Sequence, residues 1–170
     1  MVKLEGSEKV MQKKISSKAV AIRFAKSQQD IDKMIDLGRK LHAESWYRHL
    51  PMDDARMQEI GHRGLKDGNP GLIIAERGDE MVGMAIVVLG EYYFSAVRTA
   101  TVQLFYVIPE ARGGSAALNL LRALRLWAKE AEANDLHVNV TTGIEPVRTD
   151  HMLRKLGFKQ TGGNYVLESL

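Results

Sequence analysis

Apolar residues recur along this chain with two spacings, and the change from one to the other marks out its elements. Ala19 to Ala25 alternates, with Val20, Ile22 and Phe24 on one face, and predicts a first strand. From Asp30 the spacing becomes helical: Ile31, Met34, Ile35, Gly38, Leu41 and His42 share one side. That pattern gives way at Ser45-Trp46-Tyr47-Arg48-His49-Leu50-Pro51. Asp53 is suited to cap a second helix whose inner face is Met57, Ile60, Gly61, Gly64 and Leu65. After a turn at Gly68-Asn69-Pro70-Gly71, two runs, Leu72 to Glu76 and Met81 to Leu89, read as a hairpin joined at Gly78-Asp79.

Thr99 to Ile108 predicts a fourth strand, and Ser115 to Ala133 a long helix. The helix buries the stripe Ala117, Leu120, Leu121, Leu124, Trp127, Ala128 and Ala131. Leu136 to Thr141 is a fifth strand, and a short helix from about Val147 to Leu156 stops at Gly157 in the C′ position. Phe158 to Thr161 and Asn164 to Leu167 read as a closing hairpin across Gly162-Gly163. The order β-α-α-β-β-β-α-β-α-β-β predicts an α+β fold. Its sheet is mixed, mostly antiparallel, of six to seven strands, with helices on both faces.

The length of 170 residues fits one domain with a real core, and 45% apolar with 26% charged residues is ordinary for a globular chain. The absence of cysteine excludes disulfides, thiolate metal sites and cysteine nucleophiles. His49, His62 and His137 show no metal-ligand spacing, so no metal is expected. The longest apolar run, Met84 to Leu89, is too short to span a bilayer, and the first residues lack a signal-peptide core. A cytoplasmic protein without a membrane partner is the expectation. The net charge of +3 owes part of its excess to Lys3, Lys9, Lys13, Lys14 and Lys18. Residues 1–18 read as a flexible basic arm ahead of a domain over 19–170. No aromatic residues interleave with those lysines, so nucleic acid is not the expected partner.

The most informative stretch is Leu104-Phe105-Tyr106-Val107-Ile108-Pro109-Glu110-Ala111-Arg112-Gly113-Gly114-Ser115-Ala116-Ala117-Leu118. A buried strand runs into a short turn, and small residues then open the long helix. Backbone N–H groups at a helix start are unpaired and carry partial positive charge, and small side chains leave them open to phosphate. Arg112 adds a full charge. The turn matches neither G-x-x-x-x-G-K-[ST] nor G-x-G-x-x-G, which argues against a nucleotide hydrolase or a dinucleotide fold.

With these elements in place, residues 19 to 168 resemble the GNAT superfamily of acyl-CoA-dependent N-acetyltransferases. The turn is similar to that family's Gln/Arg-x-x-Gly-x-Gly/Ala, with Arg112 at its first position and Ala117 at its last. Ser115 stands where the middle glycine falls. Lys155-Leu156-Gly157-Phe158 matches the family's late KLGF. His42-Ala43-Glu44-Ser45, His49-Leu50-Pro51 and Gly162-Gly163-Asn164-Tyr165 resemble members encoded by bacteriophages, which would work in the host cytoplasm.

The resemblance implies that backbone amides of Gly113, Gly114, Ser115, Ala116 and Ala117 hold the diphosphate of acetyl-CoA, with Arg112 at its edge. It also implies that the pantetheine arm pairs with main chain near Phe105 and Val107 where the fourth and fifth strands splay, with the Val107 N–H as oxyanion donor. The family's usual strand-four glutamate is Gln103 here, and its usual late tyrosine is Leu153, so both customary proton handlers are missing. His151 and Glu44 are the replacement candidates. His151 is read near the start of the last helix, beside the departing thiol. Glu44 lies in the wall of the acceptor site, placed to bind the amine's charge or take its proton through water. His42 falls on the apolar side of its helix and is read as packing. Tyr92, Tyr93 and Tyr106 are read as core or sheet-face aromatics that could line the acceptor cavity.

The expected activity is acetyl transfer from acetyl-CoA to an amine of a small molecule or a protein, by direct attack on the thioester. The alternative is a catalytically impaired GNAT-fold module that binds acyl-CoA or protein. A homodimer through the Tyr165-Val166-Leu167 edge is an open expectation.

Overall fold

The computed structural model describes residues 19–167. The basic arm read over residues 1–18 lies outside the described residues. The elements are β1 (Val20–Phe24), α1 (Gln28–Glu44), α2 (Asp54–Asp67), β2 (Gly71–Arg77), β3 (Glu80–Tyr92), β4 (Ser95–Val107), α3 (Ala116–Glu130), β5 (Asp135–Val138) and α4 (Pro146–Lys155). Short 3₁₀ turns occupy Trp46–His49 and Pro109–Ala111. The sheet runs β1-β2-β3-β4-β5, antiparallel except for the parallel pair β4–β5.

Cross-strand neighbours share a face, which fixes the layers. Gly83 and Val107 are partners, and a Cβ on Gly83 would lie 3.2 Å from Leu120, so that face carries α3. Met84 and Tyr106 are partners, and the Met84 methyl sits 3.9 Å from the Cβ position of Gly38, so the opposite face carries α1. α2 packs beside α1 through a close approach: a Cβ on Gly61 would stand 2.5 Å from Ile31. β2 and β3, covered on both sides, supply the core residues Ile73, Ile74, Val82, Met84 and Val87, all at 0% exposure. α3 adds Leu120, Leu121 and Leu124 from the stripe read in the sequence. Burying such side chains contributes roughly 1.5–3 kcal/mol each.

Local chemistry sets the helix ends. The Ser27 hydroxyl accepts the Asp30 N–H at 3.2 Å, and Asp53 accepts the Arg56 N–H at 3.0 Å. Gly68 and Gly157 follow α2 and α4 in the left-handed conformation, at φ +68° and +88°. β1 is held at the sheet edge by charge as well as by its ladder. The Arg23 guanidinium binds Asp30 on α1 and Glu76 on β2, each at 2.6 Å. Those hydrogen bonds hold the buried Asp30 carboxyl far below the ordinary carboxylate range and lower Glu76 as well.

Four expectations are corrected. The sheet has five strands, not six or seven, because residues 158–167 form no ladder. The segment alternates as a strand would, but Tyr165, Val166 and Leu167 are 98%, 69% and 78% exposed and pair with no strand. The fifth strand stops at Val138 instead of Thr141 because β4 turns away from it. The third and fourth strands are longer than read: β3 runs past Leu89 to Tyr92, and β4 starts at Ser95 instead of Thr99. Tyr93 in the turn between them is fully exposed, and Tyr92 donates outward to Asp135 at 2.7 Å, so neither is a core or cavity residue.

Replacing Arg23 by methionine leaves Asp30 buried without its partner. We expect a loss of about 2 kcal/mol at neutral pH, below the figure for a fully buried pair because Arg23 is partly exposed. Both carboxyls are depressed in the folded state, so their contribution is complete above the unfolded carboxyl value of about 4 and fades as pH falls below it. Denaturant melts between pH 7 and 2.5 should show a steeper acid loss in the wild type than in Arg23→Met. Parallel curves would contradict the assignment.

Candidate active site

β4 carries one residue more than β3 near its middle. Ile86 faces Leu104 while Val87 faces Val102, leaving Gln103 unpaired. Such a bulge bends the strand and increases its twist. On its other side β4 pairs with β5 only from Thr99 to Val102. Beyond Val138 the chain departs, and a cleft of about 770 Å³ opens between Gln103–Val107 and Asn139–Thr142. The splay implied by the resemblance is therefore present, and the bulge supplies its physical cause.

The edge left bare is a hydrogen-bonding one. The Ile108 N–H donates to Val82 on β3 at 3.0 Å. Antiparallel alternation then turns the N–H and C=O groups of Val107 and Phe105 away from β3. Both residues line the cleft. Across it, the Trp46 N–H donates to Thr142 at 2.8 Å, tying the α1–α2 connection to the segment after β5. Ser45 makes that connection rigid: its hydroxyl donates to His42 C=O at 3.0 Å and accepts the Tyr47 N–H at 3.2 Å.

At the end of β4 lies the turn. Arg112 is extended, Gly113 has φ +86°, and Ser115 is helical at φ −82° and ψ −10°. Only Gly113 adopts a backbone that disfavours a side chain, so serine in place of the middle glycine carries no strain. The first bond closing α3 is Asn119 N–H to Ser115 C=O at 2.9 Å. The N–H groups of Gly113, Ser115, Ala116 and Ala117 meet no protein acceptor among the described residues. Such open donors at a helix start suit an anion.

The charged residues behave differently from their sequence reading. Arg112 turns back under the strand: its Nε donates to Val107 C=O at 2.9 Å and its Nη2 to Glu44 at 2.6 Å. It also stacks 5.6 Å above the Tyr106 ring. The Tyr106 hydroxyl donates to the other Glu44 oxygen. Burial alone would push the Glu44 carboxyl up, but the bonds from Tyr106 and Arg112 outweigh it and hold it below the ordinary value. Burial, and then the Glu44 carboxylate, push the Tyr106 phenol well above its usual range.

His151 lies in the second turn of α4, beyond the first turn where a helix terminus acts on charge, and it is exposed at the rim of the cleft. Leu153 is buried at 8% exposure, part of the core and unable to handle protons. Gln103 lines the cleft at the bulge, where its amide can orient a ligand but cannot act as a base. His42 is half-buried as read, and its Nε2 has no hydrogen-bond partner among the described residues.

Sequence reading missed Arg148. Its Nη2 comes within 3.3 Å of where a Cβ on Gly113 would stand, while its Nη1 binds Glu145 at 3.1 Å. An arginine in the first turn of a helix, where acidic residues are favoured, was the available signal. No group of residues able to hold a metal occurs among the described residues.

Residues 32–158 match the sequence profile of the Acetyltransferase (GNAT) family. Curated protein sequences yield no significant match. Among solved structures, the chain is similar to aminoglycoside N-acetyltransferase AAC(6′)-Iy, solved with CoA. The TM-score is 0.72 at 17% identity, over 90% of this chain and 96% of that one. It is also similar to ribosomal-protein-alanine N-acetyltransferase from Brucella melitensis biovar Abortus 2308, with TM-score 0.66, 20% identity, and 89% and 99% coverage. A transcriptional regulator from Bacillus halodurans C-125 aligns with TM-score 0.68 and 25% identity over 89% of this chain and 100% of that one.

Gly113→Ala should cost about 1–2 kcal/mol of stability through its left-handed backbone, whereas Ser115→Gly should change stability by less than about 1 kcal/mol. Thermal melts of the two variants compare them directly. Equal losses would remove Gly113 as the conformational centre of the turn.

Proposed function

The chain belongs to the GNAT acetyltransferase family and is an N-acetyltransferase using acetyl-CoA as co-substrate, and we propose how its own residues bind and transfer the acetyl group. The observation that carries the reading is the bare β4 edge leading straight into the cradle. Two outward-facing backbone pairs, at Phe105 and Val107, suit the amides of a pantetheine arm laid alongside as an extra strand. The unpaired N–H groups of Gly113 and of Ser115 to Ala117 then fall where a diphosphate would lie. Phe105, Val107, Gly113, Gly114, Ser115, Ala116 and Ala117 are the proposed co-substrate residues, with Arg112 joining them.

An amine must be neutral to attack. Its nitrogen lone pair adds to the thioester carbonyl carbon, and the oxyanion accepts the Val107 N–H, which faces the cleft. Collapse breaks the carbon–sulfur bond, the nitrogen proton passes to a base, and the sulfur leaves as thiolate, whose conjugate acid has a pKa of about 8.5. His151, at the rim, is the proposed group nearest to that exchange. Glu44 is proposed as the acceptor's counter-charge, since its carboxylate is bonded to Tyr106 and Arg112, both of which line the cleft. The acceptor is an amine of a small molecule or a protein. The segments resembling phage-encoded members point to a host-cytoplasm setting.

Calorimetric titration with acetyl-CoA and with desulfo-CoA tests the reading. Micromolar binding is expected in the wild type and its loss in Gly114→Glu, which fills the turn and adds a negative charge. No binding by the folded wild type would leave the fold as a scaffold for protein contacts. Once an acceptor is found in an amine screen, His151→Ala should lower kcat at least ~10-fold, in keeping with a general acid–base group. Full activity would exonerate it.

A further inference from the structure

We propose that binding of acetyl-CoA exchanges the partners of Arg112, releasing it from Glu44 and Val107 and so uncovering the Glu44 carboxylate. The inference rests on the co-substrate reading above. Its starting point is a conflict between two demands on one atom. The outward-facing Val107 C=O is the natural acceptor for an amide N–H of a ligand paired along β4. In the structure that oxygen already accepts the Arg112 Nε at 2.9 Å.

The same guanidinium spans to Glu44 at 2.6 Å, so one cation closes both the carbonyl and the carboxylate. Arg112 and Glu44 side chains are 20% and 30% exposed, so water screens their bond only in part. A ligand strand that takes Val107 C=O removes one of the two bonds holding Arg112 in place. The next residue, Gly113, begins the cradle, and a diphosphate there offers the displaced guanidinium bidentate oxygen acceptors. Glu44 then keeps only the Tyr106 hydroxyl and regains a free oxygen and its full negative charge.

In the free protein Glu44 is therefore part of an ion pair beside the cleft-lining Tyr106 and Arg112, and in the bound protein it is an uncompensated anion. Glu44 also competes with the diphosphate for Arg112, so the two anions are coupled through one residue, and the coupling is reciprocal.

The test is a double-mutant cycle read by calorimetric titration with desulfo-CoA, on the wild type, Glu44→Gln, Arg112→Ala and the double variant. Glutamine keeps the contact with Tyr106 but no longer holds Arg112 by charge. Glu44→Gln should tighten binding about five-fold or more, and Arg112→Ala should weaken it by about ten-fold or more. Adding Glu44→Gln to Arg112→Ala should then produce no tightening. A purely structural role for Glu44 predicts weaker binding on substitution, so tightening separates the two. Unchanged or weaker binding in Glu44→Gln, or equal tightening with and without Arg112, would overturn the exchange. Failure of the wild type to bind desulfo-CoA would instead overturn the co-substrate reading beneath it.

Discussion

Everything at the site depends on one departure from regular pairing, the extra residue at Gln103. β4 follows β3 to Tyr106 and Val107 but bends at the bulge, and β5 cannot follow it past Val102. A central strand is thereby left with a bare edge inside the fold, the arrangement that sheet proteins ordinarily cover. Here the edge looks into a cleft, with the α1–α2 connection tied across it by the bond from Trp46 to Thr142. The turn and the α3 N-terminus stand at the end of the same strand, so the backbone pairs and the cradle form one continuous track. Side chains supply little of it, which is why serine at position 115 and glutamine at position 103 are compatible with binding.

The framework was legible in the sequence wherever local and tertiary preferences agreed. The stripe from Ile31 to Leu41 forms the buried face of α1. Asp53 caps α2, and Gly157 ends α4 with positive φ. The turn after β4 and the start of α3 were readable because an apolar strand run gives way there to glycine and then to a helical stripe. The reading failed where pattern lacked a partner. Residues 158–167 alternate as a strand would, but a strand exists only beside another, and these residues join no ladder. The β3–β4 pairing ran beyond the apolar residues because it continued through polar ones such as Glu91 and Arg98.

The charged groups were the least legible, for a physical reason. Arg23 reaches Glu76 and Arg112 reaches Glu44 across 53 and 68 positions of sequence. No local spacing reports such a contact. The two clusters also differ in what can compete for them. Arg23 with Asp30 and Glu76 is enclosed between β1, β2 and α1, where it fastens an edge strand. Arg112 with Glu44 borders the cleft, where a ligand's own anion can replace a carboxylate. The same pairing chemistry is thus structural in one place and exchangeable in the other.

The central claim is that the bare β4 edge and the turn together bind acetyl-CoA through main chain. Amide hydrogen exchange on the folded protein, with and without acetyl-CoA, addresses it most directly. The amides of Phe105, Val107, Gly113 and Ser115 to Ala117 should exchange readily in the free protein and become protected when the ligand is added. Tyr106, whose N–H faces β3, should be protected in both. Binding that leaves the Phe105, Val107 and turn amides unprotected would contradict the account.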